Sequence, residues 1–228
     1  MSCRLIVLEK RPGVRPIGVA EVCWRIVGKA ILSVVRADVL KVAGPWQLCA
    51  GQPGGCEAAI HATRLLFQES CEGVLLVDAS NAFNSLNRQV ALLNVQALCP
   101  SLATVLANTY RGHAELFVNG QTVFSREGTT QGDPLSLVFY ALATIPLIKA
   151  CRVQGLNGEV WYADDTTGGG RLLLLRAWWD NLVVKGPRYG YFPNGMKTWL
   201  VVKPDLYETA ADTLLEQGSK LPLKAGDT

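Results

Sequence analysis

With 228 residues the chain is long enough for one or two domains, and its 49% of apolar residues can bury a sizeable core, which excludes a disordered chain. The net charge of +3 does not by itself mark a nucleic-acid binder, although residues 1–48 hold eight Lys/Arg against three Asp/Glu, a balance that suits a phosphate-rich partner. Seven scattered cysteines without a CxxC pair, and only His61 and His113 as imidazoles, argue against a zinc site and for a reducing intracellular compartment. The strongly apolar uncharged stretch Pro134 to Ile148 falls short of the roughly 20 residues a membrane span needs. It reads as a buried helix.

In chain order, residues 1–9 can form a strand, and Lys10 to Pro16 is turn-rich. From Val19 the apolar residues fall at helical spacing (19, 22, 23, 26, 27, 30, 31, 34, 35), predicting one amphipathic helix to about Val42. A Gly-rich loop at 51–55 leads into a second helix at about 56–70. Val74 to Val77 is a continuous apolar run ending at Asp78, as expected of a strand covered on both faces. Residues 86–110 read as two helices broken at Pro100. Asn119-Gly120 between two strand-like runs predicts a hairpin. A polar loop, 129–133, precedes the apolar helix at about 134–150. A second hairpin is expected at 159–170 with Asp164-Asp165 near its turn, then a helix at 171–185, a strand at 197–203 and a helix at 205–217. Helices and hairpins alternate without a regular βαβ series, which predicts an α+β fold with helices packed on one face of a mainly antiparallel sheet.

Three acids stand out. Asp78 ends a buried-looking strand, and Asp164-Asp165 sit in Tyr162-Ala163-Asp164-Asp165. Carboxylates crowded at strand ends repel one another unless a cation neutralises them. Mg²⁺ prefers such oxygen ligands together with substrate phosphates, and two ions about 4 Å apart can clamp the attacking and leaving oxygens of a phosphoryl transfer. An isolated Asp-Asp is more often just a turn. Here other elements fall in order around it: Val77 to Asn84, Thr130-Gln131-Gly132-Asp133-Pro134-Leu135-Ser136, and Gly190-Tyr191-Phe192-Pro193-Asn194 through Lys197-Thr198.

In content, order and spacing these four segments resemble the palm motifs of reverse transcriptases, most closely those of non-LTR retrotransposons. Arg15-Pro16-Ile17-Gly18 and the Trp24–Lys29 stretch resemble the fingers of that family. The resemblance covers about residues 9–205. It implies partial, mainly helical fingers at 1–72 (with fingers residues interleaving at 86–126), a palm at 73–205 and a C-terminal segment, 206–228, leading towards a primer grip and thumb that are absent from this chain, as is any endonuclease segment. It also implies two Mg²⁺ ions, or Mn²⁺ in their place, held by Asp78, Asp164 and Asp165. The partners would be an RNA template, a DNA primer and deoxynucleoside triphosphates.

The resemblance further assigns Phe83 to the sugar of the incoming nucleotide, where a ring excludes a 2′-hydroxyl; a core phenylalanine is the plainer alternative. Gln131 and Gly132 would line the nucleotide and template. Lys10 and Arg15 would touch the triphosphate, although a basic surface loop explains them as well. Lys197 would protonate the leaving pyrophosphate, against an ordinary strand-flanking lysine. Asn84 stands where many relatives carry a second aspartate. Three functions compete: an RNA-directed DNA polymerase, an RNA-templated RNA polymerase, which Phe83 disfavours, and a catalytically silent fragment that at most binds nucleic acid. No Gly-x-x-x-x-Gly-Lys-Ser/Thr sequence supports a nucleotide hydrolase.

Overall fold

A computed structural model of the chain describes residues 2–10, 13–69, 71–215 and 223–225. It opens with a hairpin. β1 (Ser2–Glu9) pairs antiparallel with β2 (Val14–Ala20) from Cys3↔Ala20 to Glu9↔Val14. The sequence pattern predicts no second strand here, because Pro16 and the turn-rich residues before it obscure one. Pro16 is tolerated because β2 lies at the sheet edge, where a missing N–H costs no ladder bond. The expected long helix therefore starts later, as α1 (Val22–Val34), and breaks at Val35 before α2 (Arg36–Ala43). α3 (Gly55–Glu69) follows the Gly-rich loop as expected.

β3 (Gly73–Val77) is the buried apolar strand. A single turn, α4 (Ala82–Ser85), leads to α5 (Arg88–Leu98) and α6 (Pro100–Tyr110), separated at Pro100 as predicted. β4 (Ala114–Val118) and β5 (Gln121–Ser125) form the expected hairpin. Its turn residues Asn119 (φ 48°) and Gly120 (φ 74°) both take the left-handed conformation that a two-residue hairpin turn demands. β4 then pairs in parallel with β1, giving a sheet of order β2-β1-β4-β5 that joins the chain's start to its middle.

The apolar segment forms α7 (Ser136–Cys151), buried along nearly its whole length. Among the described residues no helix is long and apolar enough to cross a membrane. The second expected hairpin is β6 (Gly158–Tyr162) and β7 (Asp165–Gly170), followed by α8 (Leu172–Tyr189), β8 (Trp199–Val202), a 3-10 turn at Pro204–Leu206 and α9 (Tyr207–Leu215). The last residues of the helix expected at 205–217 lie outside the described residues. With β9 (Leu223–Ala225) these strands make a second sheet, β6-β7-β3-β8-β9, antiparallel except at β8–β9.

The expected α+β architecture is present. Alternation along β7 sends neighbouring residues to opposite faces. A side chain at Gly168 would meet Trp178 of α8, whereas one at Gly169 would meet Leu66 of α3. The main helical layer, α8 with α7 and α5 behind it, covers one face, and α3 crosses the other. Trp161 and Trp178 meet edge to face in the core at 6.3 Å. These layers leave one end of β3 and the β6–β7 turn open, and the acids lie there.

Candidate active site

Register brings the acids together. β3 and β7 pair up to Val77↔Thr166, and the next step along each strand is Asp78 and Asp165. Tyr162↔Asp165 closes the β6–β7 hairpin, so Ala163 and Asp164 form its turn. Thus one strand end carries all three. Their fields interact: burial first, then Asp165 and Asp78, push the Asp164 carboxyl from 3.8 up to about 6, while Arg15 pulls it down. Asp165 is also raised, by desolvation and then by Asp78.

The three do not face the same space. Asp78 and Asp164 line a cleft of about 370 Å³ with Lys10, Arg15, Phe83, Gln131 and Gly132. The more exposed Asp165 faces a separate groove under α3, beside Cys56, Ile60 and Tyr162. Among the described residues no three His, Cys, Asp or Glu side chains are gathered closely enough to cage a metal ion. Magnesium rarely needs such a cage, since one or two carboxylates, waters and substrate phosphates usually complete its shell. Asp78 Oδ2 is buried and has no hydrogen-bond partner. Its cationic neighbour is the Lys197 ammonium at 3.5 Å. A buried carboxylate oxygen that accepts no hydrogen bond, offset only by a partly exposed ammonium and set beside a second acid, is a donor set that fits a hard divalent cation.

The loop opposite is tied to the first hairpin. Gly18 N–H donates to the Gln131 carbonyl at 2.7 Å. Gly132 has φ 104°, and a Cβ there would stand 2.5 Å from the Gly18 oxygen, so only glycine fits this approach. Lys10 and Arg15, both exposed, reach the cleft from the β1–β2 hairpin. Phe83 is half-buried, its ring stacked on Tyr140 of α7 at 4.6 Å and 22°.

Sequence reasoning assigned no role to several residues that build this site. Asp133, buried in the polar loop, accepts from Trp24 Nε1 at 2.9 Å and from the Tyr110 hydroxyl, joining α1 and α6 to the loop. Its place beside Gln131-Gly132 was the available signal. Tyr140 and Gln47 gave none, since a tyrosine in an apolar helix and a glutamine before a loop look ordinary.

No protein-family model matches the sequence, and no curated protein matches it significantly. Solved structures do. A telomerase from Candida tropicalis, truncated of its C-terminal domain, superposes with a TM-score of 0.63 at 14% identity, over 86% of this chain and 49% of that one. The fold is reverse-transcriptase-like. A telomerase from Candida albicans, solved in complex with a TWJ fragment of telomeric RNA, gives a TM-score of 0.64 at 12% identity, over 89% of this chain and 42% of that one. The chain therefore spans less than half the length of these neighbours. They share this fold and are not retrotransposon proteins by description, so the non-LTR type rests on the motifs alone.

Proposed function

We propose that this chain is the fingers and palm of an RNA-directed DNA polymerase of the non-LTR retrotransposon type, joining a deoxynucleotide to a primer under the direction of an RNA template. The observation that carries the reading is the shared cleft: Asp78 and Asp164 on one wall, Phe83, Gln131 and Gly132 on another, Arg15 and Lys10 at the rim. The residues fit divalent ions at Asp78 and Asp164, with Asp165 completing the acidic cluster. When bound, Mg²⁺ (or Mn²⁺) would activate the primer 3′-hydroxyl and neutralise charge on the phosphates.

The chain's own residues do the rest. Arg15 and Lys10 hold the triphosphate by charge-assisted hydrogen bonds. The Phe83 ring, backed by Tyr140, closes the space a 2′-hydroxyl would enter. Gln131 and the Gly132 backbone line the nucleotide. Lys197, beside Asp78, is the proton donor for the departing pyrophosphate. Positioning and charge stabilisation, without a covalent intermediate, account for the rate.

Primer extension on an RNA template with deoxynucleotides and Mg²⁺ tests this, with Asp164→Asn as the control. Metal-dependent extension that the substitution abolishes is expected. The second reading, a silent fragment that at most binds nucleic acid, is favoured by Asp165 facing away from the cleft. Nucleic-acid binding without metal-dependent extension would establish it in place of the first.

A further inference from the structure

The turn that carries Asp164 is gripped by two side chains to which the motifs assign no role. Ala163 has φ 55°, a left-handed conformation that is unfavourable for a residue with a Cβ. Something must hold it there. Gln47, fully buried in the loop after α2, meets its peptide groups edge-on. Gln47 Nε2 donates to the Ala163 carbonyl at 2.9 Å, and Ala163 N–H donates to Gln47 Oε1 at 3.0 Å. A carboxamide offers a donor and an acceptor in one plane, so it serves this residue as a neighbouring strand would.

The amide cannot swivel freely. Its Nε2 also donates to Thr144 Oγ1 at 3.2 Å, and its Oε1 accepts from Cys49 Sγ at 3.2 Å. Thr144 is anchored in turn to the α7 backbone at Tyr140, so the clamp is bolted to the most buried helix. From the other side, the Tyr191 hydroxyl donates to the Asp164 carbonyl at 3.1 Å. Tyr191 is itself fully buried and packs against Trp161 at 5.8 Å. Two consecutive peptides of the turn are thus held by side chains 116 and 27 residues away. The repulsion among Asp78, Asp164 and Asp165 works against this arrangement, and a free two-residue turn would yield to it.

We propose that Gln47 and Tyr191 are positioning residues that fix the Asp164 carboxylate for a divalent cation. This rests on the reading of Asp78 and Asp164 as cation ligands. Outer-shell partners that orient a ligand typically contribute about tenfold to a hundredfold in metal affinity.

Mn²⁺ titration of the full chain, with free ion followed by electron paramagnetic resonance, tests the role without relying on activity. The variants are Asp164→Asn, Gln47→Leu and Tyr191→Phe, each with its metal-free melting temperature. Wild type is expected to bind and Asp164→Asn to lose binding. Tyr191→Phe removes one hydroxyl, keeps its ring packing, and is expected to bind about tenfold more weakly. Gln47→Leu is expected to bind more weakly still, and if it fails to fold Tyr191→Phe alone decides. Wild-type affinity in Tyr191→Phe, or in folded Gln47→Leu whatever its melting temperature, overturns the positioning role and leaves the cation site standing. Wild-type affinity in Asp164→Asn, or no binding by wild type, overturns the cation site itself.

Discussion

At the scale of single residues, Phe83 was legible and its support was not. The motif marks Phe83, five positions after Asp78, but the ring it leans on comes from α7, and only the fold joins them. Phe83→Ala should open the space beside the sugar and raise ribonucleotide incorporation relative to deoxyribonucleotide in a primer-extension competition. Unchanged selectivity would remove the sugar-gate role and leave a core phenylalanine. Tyr140 permits a separate prediction about stability. Its hydroxyl is buried with no hydrogen-bond partner among the described residues, and burial drives its ionisation far above the ordinary range. A buried hydroxyl without a partner costs about 1–3 kcal/mol, so Tyr140→Phe should stabilise the chain by about 1 kcal/mol in denaturant unfolding. A loss of stability would mean that the hydroxyl has a partner, such as a bound water. Gln47 and Tyr140 were invisible because their partners are distant in sequence, and the same holds for the bond from Trp24 to Asp133, 109 residues apart; local pattern carries no such information.

At the scale of elements, helices with apolar periodicity and strands with turn chemistry declared themselves. Asn119-Gly120 fixed one hairpin by backbone conformation alone, and Pro100 separated α5 from α6. β2 escaped because an edge strand tolerates the proline that argues against it. The break at Val35 escaped because apolar spacing runs straight through it. Arg88 shows what else pattern misses. It begins α5 and reads as a surface residue, yet it is 4% exposed. Its guanidinium donates to the carbonyls of Gly128, Gly112, Ser125 and Glu127 and to Ser125 Oγ, and lies over the Tyr110 ring at 5.6 Å. It therefore binds the end of the β4–β5 hairpin and the loop beyond it, which leads to Gln131, onto the helical layer. Arg88→Met keeps much of the bulk and leaves several backbone acceptors unpaired. A loss of roughly 3–5 kcal/mol is expected in denaturant unfolding, a large part of the stability of an ordinary domain. A loss under about 1 kcal/mol would mean that water replaces the guanidinium and that the loop does not depend on it.

For the molecule as a whole, the convergence of Asp78 and Asp164 on one cleft makes stability depend on protons and cations together. The folded chain holds the Asp164 carboxyl at about 6 against an ordinary 3.8, mainly because the site is partly dry and then because Asp165 and Asp78 repel its charge. Between those two values the folded protein keeps a proton that the unfolded chain has released. Stability from this group is therefore full at low pH, falls as pH rises through that window, and is lost above the folded value. Asp165 and Glu159 are shifted in the same direction, Glu159 by burial that outweighs the N–H groups of Trp161 and Trp178, so all three groups push the same way. Thermal unfolding of the metal-free chain should give a melting temperature that declines from about pH 4 to about pH 6, with a shallower decline in Asp164→Asn, which cannot ionise there. A divalent cation competes with the proton for the same oxygens and binds only the folded arrangement. Excess Mg²⁺ should therefore raise the melting temperature at about pH 7.5 and have little effect at about pH 5, where the proton is already bound. In Asp164→Asn the cation effect should vanish and the proton effect should shrink with it, to the part that Asp165 and Glu159 supply. If Mg²⁺ stabilises that variant as much as wild type, the ion is binding elsewhere. The acids would then be held apart by the fold alone, and the polymerase reading would lose its chemical basis while the reverse-transcriptase-like architecture remained.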